Sequence, residues 1–250
     1  MEQLLTCAMD IGEQMLISGA EVHRVEESIR RMCKAFGAVR TDVFIITSSM
    51  VVTVFDTDNK AFTQTRRITG STIDIEKIHH LNNLSRKICR QSMTEAEIRR
   101  ELDAAVSAKT YPFWVELICY AVIAGAFTLF FGGTVTEMLL SLLVGAIVRC
   151  GILLCDLAVP SRMFAKFCSA VVATALAFLA VKLGWVGDAD KIIIGNIMTL
   201  IPGIGLTNAL RDLFTGDSIA GLLRTVEAVL IALAIAAGYF LVAFLGGVLL

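Results

Sequence analysis

Asn196-Ile197-Met198-Thr199-Leu200-Ile201-Pro202-Gly203-Ile204-Gly205-Leu206-Thr207-Asn208 decides how the C-terminal half of this chain is built. The stretch is apolar on both sides of Pro202, so it reads as part of a membrane-embedded helix. Pro202 lacks an N–H and clashes with the preceding turn, which breaks or kinks the helix there. Gly203 and Gly205 are expected to loosen the backbone further. Lipid cannot satisfy freed peptide groups, so such a break is tolerated only where protein or a water-filled cavity surrounds it. Asn196, Thr199, Thr207 and Asn208 cluster around the break. Together with Pro202, Gly203 and Gly205 they form the candidate wall of a substrate pathway. A half-helix starting near Leu206 would offer free N–H groups to a carboxylate, and carbonyls before Pro202 could accept from an ammonium or hydroxyl.

Outward from this segment the composition divides sharply. Residues 1–111 hold 15 of the 22 Lys+Arg, 15 of the 23 Asp+Glu and all three His; residues 112–250 hold all three Pro and few charges. This division predicts an α+β N-terminal domain, residues 1–111, followed by an α-helical membrane domain, residues 112–250. Five spans can be drawn, 113–131, 134–155, 164–183, 191–207 and 226–250, the fourth broken at Pro-Gly. Each is near the ~20 residues needed to cross ~30 Å of hydrocarbon. Lys109, Arg162, Lys166, Arg211 and Arg224 fall on one side. Lys182 and Lys191 fall on the other, balanced by Asp188 and Asp190. The positive-inside rule then puts the N-terminal domain in the cytoplasm and the C-terminus outside. The start of the chain has no basic n-region, and Asp10 and Glu13 interrupt its apolar residues, so no signal peptide is expected.

Within the N-terminal domain, helical spacing predicts helices over 3–17, 18–36, 73–91 and 94–108. The β-branched runs predict strands over 42–47, 50–55 and 62–68, an antiparallel meander covered by helices. Ser18 with Glu21, and Thr94 with Glu97, have the spacing of capping boxes.

Glu116, Glu137, Arg149 and Asp156 are charged residues within or beside the spans. Charges at such depth need a partner or a wet cavity. With Asp212 they are the candidates for proton coupling or intramembrane pairing. Glu116 and Glu137 lie near span ends and could snorkel; Arg149 could pair with Asp156 or an acid of another span.

Other chemistry finds little support. A net charge of −1 gives no hint of nucleic-acid binding. The seven Cys show no metal spacing. His79-His80 has no second ligand pair. Asp56 and Asp58 resemble the start of a calcium loop, but Ala61 and Arg67 stand where Gly and Glu are needed. No P-loop, GxSxG or HExxH occurs. No catalytic residue, metal or cofactor is expected, and the chain is not expected to be an enzyme.

Two blocks carry a family resemblance. Leu16-Ile17-Ser18-Gly19-Ala20-Glu21-Val22-His23-Arg24-Val25-Glu26 resembles the N-terminal signature of the bacterial threonine/serine exporter family, marking Ser18, Gly19, Glu21, Arg24 and Glu26. Ile201 through Leu213, with Gly216-Asp217 and Gly221-Leu222-Leu223-Arg224, resembles its membrane signature. The resemblance implies a cytoplasmic domain, membrane spans in the bacterial inner membrane, and export of threonine and serine. Some relatives are implicated in succinate export instead. Full-length members carry twice this number of spans. The chain therefore resembles the larger subunit of a split version, completed by a small all-membrane partner subunit or by a homo-oligomer. The leading expectation is a proton-driven secondary exporter of a small carboxylate-bearing metabolite. The alternatives are a dicarboxylate exporter, a membrane-tethered hydrolase using Ser18 and His23, and a sensor whose cytoplasmic domain gates the membrane part.

Overall fold

The computed structural model describes residues 1–108, 111–159 and 161–249, the side chains of 247–249 excepted. Lys109 and Leu250, used above for the orientation and for the end of the last span, lie outside the described residues. The contacts divide the chain into two units, Met1–Lys109 with Gly203–Val226, and Thr110–Pro202 with Glu227–Leu250.

The first unit is built around α1 (Glu2–Ile17), which buries Leu5, Met9, Ile11 and Met15. α2 (Val22–Ala35) packs beside it through the single stripe Val22, Val25, Ile29, Met32 and Cys33. Burying each such side chain contributes roughly 1.5–3 kcal/mol. β1 (Arg40–Ile46), β2 (Ser49–Phe55) and β3 (Ala61–Arg67) form an antiparallel sheet in the order β1-β2-β3. Val52 is paired with Val43 on one side and Gln64 on the other. Met50, Val52 and Val54 alternate along β2 and are fully buried in the core shared with α1. Asp56 closes the second hairpin: its Oδ1 accepts from the N–H groups of Asp58 and Lys60, both at 2.9 Å. α3 (Ile75–Arg90) is capped by Asp74, whose carboxylate accepts from Lys77 N–H at 2.9 Å. α4 (Glu95–Val106) carries the expected box, with Thr94 and Glu97 satisfying each other's backbone N–H.

Ser18 does not cap α2, contrary to the expectation from its spacing to Glu21. It ends α1 in a right-handed conformation, and Glu21 is the N-cap without a side-chain bond. The intervening Gly19 has φ +91, and a Cβ there would lie 2.6 Å from Thr72 O. The Ser18-to-Glu21 link is a pinned turn rather than a helix start: Thr72 N–H donates to Ile17 O and Asp74 N–H to Ser18 O.

Two later elements complete this unit. α9 (Gly203–Thr215) begins directly after Pro202, and the first turns of α10 (Ser218–Leu249) bury Ala220 in the same core. Gly221 fits closely against α9, since a Cβ would lie 2.8 Å from Leu213 N and 2.9 Å from Ala209 O. At 1.5 Å per residue the 32 residues of α10 reach about 48 Å, more than the ~30 Å of hydrocarbon. Its first turns therefore need not enter lipid.

The second unit holds α5 (Phe113–Phe130), α6 (Val135–Ala158), α7 (Arg162–Lys182), α8 (Asp190–Met198) and the rest of α10. Among the described residues, four helices are long and apolar enough to cross a membrane, or five if α8 and α9 count as one broken span. Their packing is by small residues, as expected where lipid removes the hydrophobic drive. A Cβ on Gly145 of α6 would lie 2.9 Å from Tyr120 O, and α7 buries Ala170, Ala173 and Ala177. Leu139, Leu143, Leu154, Leu233 and Phe244 point outward, an apolar surface that suits a bilayer.

The first unit makes one simple prediction. Burial pushes the Cys33 thiol up to about 12, against a hydrogen bond with Thr41 that lowers it. Cys89 is exposed on α3. Iodoacetamide at pH 8 should modify Cys89 in the native protein and reach Cys33 only after denaturation, as peptide mass spectrometry would read. Labelling of native Cys33 at the Cys89 rate would contradict the packing of α2.

Candidate functional site

Three groupings gather the charged and polar residues singled out in the sequence. The first lies among α5 and α6. Arg149 Nε donates to Glu116 Oε2 at 3.0 Å, and a second guanidinium nitrogen joins the same oxygen. The guanidinium stands over the Phe113 ring at 5.1 Å and the Tyr120 ring at 5.7 Å, where the ring faces attract a cation. Arg149, Glu116, Tyr120 and Asp156 line an open, mostly apolar cavity of about 500 Å³. The partner of Arg149 is thus the acid of the neighbouring helix, one of the two options the sequence left open. Glu137 belongs elsewhere. Its Oε2 accepts from Thr134 N–H at 2.6 Å, and Thr134 accepts from Glu137 N–H, a capping box that starts α6.

The second grouping is a buried polar chain across α5, α6 and α8. Asn196 is fully buried. Its Nδ2 donates to Ser141 Oγ and to Ile192 O, both at 2.9 Å. Ser141 Oγ is 2.7 Å from Thr128 Oγ1, which lies 2.9 Å from Ala124 O. One proton order satisfies the chain: Asn196 donates to Ser141, Ser141 to Thr128, and Thr128 to Ala124. Asn196 Oδ1 has no partner among the described residues, and leaving a buried acceptor unpaired costs about 1–3 kcal/mol. Thr199 Oγ1 donates to Asn196 O at 2.7 Å. Ser141 and Thr128 carry no sequence signal beyond being small polar residues in apolar helices.

At the break itself, α8 ends at Met198 and α9 starts at Gly203, three residues earlier than the expected Leu206. Gly203 and Gly205 are both helical and neither has positive φ. Pro202 therefore stands at the helix N-terminus, where a missing N–H costs nothing. Thr207 Oγ1 bonds back to Gly203 O at 3.0 Å.

The third grouping joins the two sequence blocks within the first unit. Asn208 Nδ2 donates to Gly19 O at 3.2 Å, and Arg224 Nη2 to Ala20 O at 2.8 Å. Arg211 forms an ion pair with Glu21. Asp212 is fully buried, with Arg224 Nη1 3.1 Å from its Oδ2. Neither Asp212 oxygen has a well-aligned hydrogen bond among the described residues, and Arg224 is its compensating charge. Ser18 is buried beside this junction, its hydroxyl without a partner among the described residues. Glu26 pairs instead with Arg30 at 2.7 Å; burial raises its carboxyl above the usual range, and Arg30 opposes the rise. Arg24 faces a different cleft. Among the described residues no group of three His, Cys, Asp or Glu could hold a metal.

The chain is similar to two curated proteins. It is 23% identical over 242 residues to "Probable threonine/serine exporter" of Mycobacterium tuberculosis, covering 94% of this chain and 45% of that protein. It is 24% identical over 238 residues to "Probable succinate transporter subunit YjjP" of Klebsiella aerogenes, covering 90% of this chain and 86% of that one. The chain thus spans about half the length of the mycobacterial relative. No solved structure matches. The ThrE family, described as "Putative threonine/serine exporter", matches residues 6–246, and the chain belongs to that family.

Proposed function

We propose that this chain is the larger subunit of a secondary exporter in the bacterial inner membrane. It moves threonine, serine or a similarly small carboxylate-bearing metabolite, together with a small all-membrane partner subunit. The observation that carries this reading is the cluster of Arg149, Glu116 and Asp156 around a ~500 Å³ cavity among apolar helices. Ionisable groups at membrane depth are costly and mark ion or substrate paths. Arg149 suits a carboxylate, and Glu116 or Asp156 suits an ammonium. One cation and two anions favour a neutral zwitterion over a doubly charged dicarboxylate, so threonine or serine is preferred to succinate. Protonation of Glu116 would release Arg149, a simple coupling to the proton gradient.

The Pro202 break belongs to the same pathway in this proposal. Asn196 Oδ1 is an acceptor without a partner among the described residues, available to a substrate ammonium or hydroxyl, with Thr199 beside it. Thr207 and Asn208 are bonded within the first unit, to Gly203 O and Gly19 O. The N-terminal domain is assigned to the cytoplasm by the basic residues Arg162, Lys166, Arg211 and Arg224. The mycobacterial relative's greater length and the word "subunit" in the other relative's name support a partner chain. Membership of an exporter family sets aside the hydrolase reading.

Flux into proteoliposomes tests the proposal, with labelled threonine, serine and succinate, with and without the partner. Arg149→Gln should lower threonine flux at least tenfold, and Arg149→Lys less. Unchanged flux in both Arg149→Gln and Glu116→Gln would remove the cavity from the pathway. Full-rate transport by the chain alone as a monomer would remove the partner.

A further inference from the structure

We propose that the N-terminal domain carries a binding site for a phosphate-bearing anion in the cleft between α2 and α3. Arg24 and Arg31 of α2 and Arg86 and Arg90 of α3 line this cleft, with Glu27 and Asn82. Its volume is about 360 Å³, at the lower end of the ~300–1,000 Å³ of small-ligand sites. The charge balance is the main argument. Elsewhere in this unit many basic side chains have an acid: Arg30 with Glu26, Arg40 with Asp42, Arg66 with Asp10, Lys87 with Glu101 and Arg99 with Glu95. In the cleft the single acid Glu27 is taken by Arg31. Arg24, Arg86 and Arg90 have no ion-pair partner among the described residues, yet their side chains converge on one concavity. Such convergence of like charges is unfavourable until an anion joins them.

The residue type narrows the ligand. Four guanidiniums and no lysine line the cleft, and the planar fork of arginine matches phosphate oxygens two at a time. A monocarboxylate would engage one fork and leave the others unpaired. A phosphate, and better a diphosphate, can bridge α2 and α3. The site stands apart from the Asn208–Gly19 and Arg211–Glu21 contacts, although Arg24 is only three residues from Glu21. Occupancy would therefore bear on the helix that directly follows that junction, which suits a regulatory ligand. The inference does not rest on the transport reading.

Calorimetric titration of the full chain in a zwitterionic detergent tests it, with inorganic pyrophosphate and with short-chain phosphatidylglycerol as separate probes. Saturable pyrophosphate binding, weakened about tenfold by Arg86→Gln with Arg90→Gln and weakened by raised salt, is expected for a soluble phosphate ligand. Binding of the short-chain lipid alone, lost in the same double variant, would identify a lipid headgroup as the source. Arg40→Gln, outside the cleft, should change neither. No saturable binding of either probe at ~10 mM, far weaker than functional sites of this size, would overturn the site. So would binding that the double variant leaves intact.

Discussion

Replacing Arg224 by alanine is expected to destabilise the protein by about 3–5 kcal/mol, because it leaves the buried Asp212 carboxyl without its compensating cation. Asp212 is fully buried, and the Arg224 guanidinium 3.1 Å away is its ion-pair partner. The substitution also removes the donor to Ala20 O. At roughly 2–4 °C per kcal/mol for a chain of this size, the melting temperature in detergent should fall by about 10 °C. Three companions separate charge from packing. Arg224→Lys keeps the cation and should lose far less. Asp212→Asn removes the buried charge and should be milder than Arg224→Ala. The double variant Asp212→Leu with Arg224→Met exchanges the pair for apolar volume and should recover most of the loss. If Arg224→Ala melts like the native chain, Asp212 is not a buried charge. The prediction also bears on the family blocks: Gly19, Ala20 and Glu21 meet Asn208, Arg211 and Arg224 across about 190 to 200 residues of sequence.

That meeting was not legible in the sequence, although both blocks were. Spacing shows what one helix can do with its own neighbours. It carries no information on which turn a distant helix will reach. Three pairs with the same three-residue spacing make the point. Thr94 with Glu97 is a capping box, as its polar surroundings suggest. Thr134 with Glu137 is one too, but in an apolar stretch its acid reads as a snorkelling side chain. Ser18 with Glu21 is not, because Gly19 must approach Thr72 and Glu21 is drawn to Arg211. The break at Pro202 was legible because proline acts through its own covalent ring. The helical state of Gly203 and Gly205 was not, since glycine permits a loose backbone without imposing it. Arg149 announced its need for a partner by depth alone. The choice of Glu116, 33 residues away, required the packing of α5 on α6.

Gly195→Ala should be the most damaging single-methyl change in the membrane unit, costing about 3 kcal/mol or more, at the upper end for overpacking. A Cβ at Gly195 would lie 2.1 Å from Thr128 Oγ1, 2.7 Å from Ala124 O and 2.9 Å from Thr128 N. The hydroxyl could rotate away, but the other two atoms are backbone, so α8 would have to leave α5. That movement would also pull Asn196 from Ser141, breaking the buried chain that joins three helices. Adding Thr128→Ala should rescue only part of the loss, because Ala124 O remains in place. Gly151→Ala is the internal control: it lies in α6 with nothing among the described residues within 4 Å of the added carbon, and alanine's helix preference should make it neutral or stabilising by up to ~1 kcal/mol. Melting temperatures of the three variants in detergent decide the matter. Equal stability of Gly195→Ala and Gly151→Ala would mean that α5 and α8 do not meet at this glycine. A large loss fully restored by Thr128→Ala would place the whole conflict on the hydroxyl and leave the backbone approach unsupported. On the transport proposed above, Gly195→Ala, with the buried chain disrupted, should also lose flux in proteoliposomes that hold the partner and are kept below its melting temperature, while Gly151→Ala keeps it.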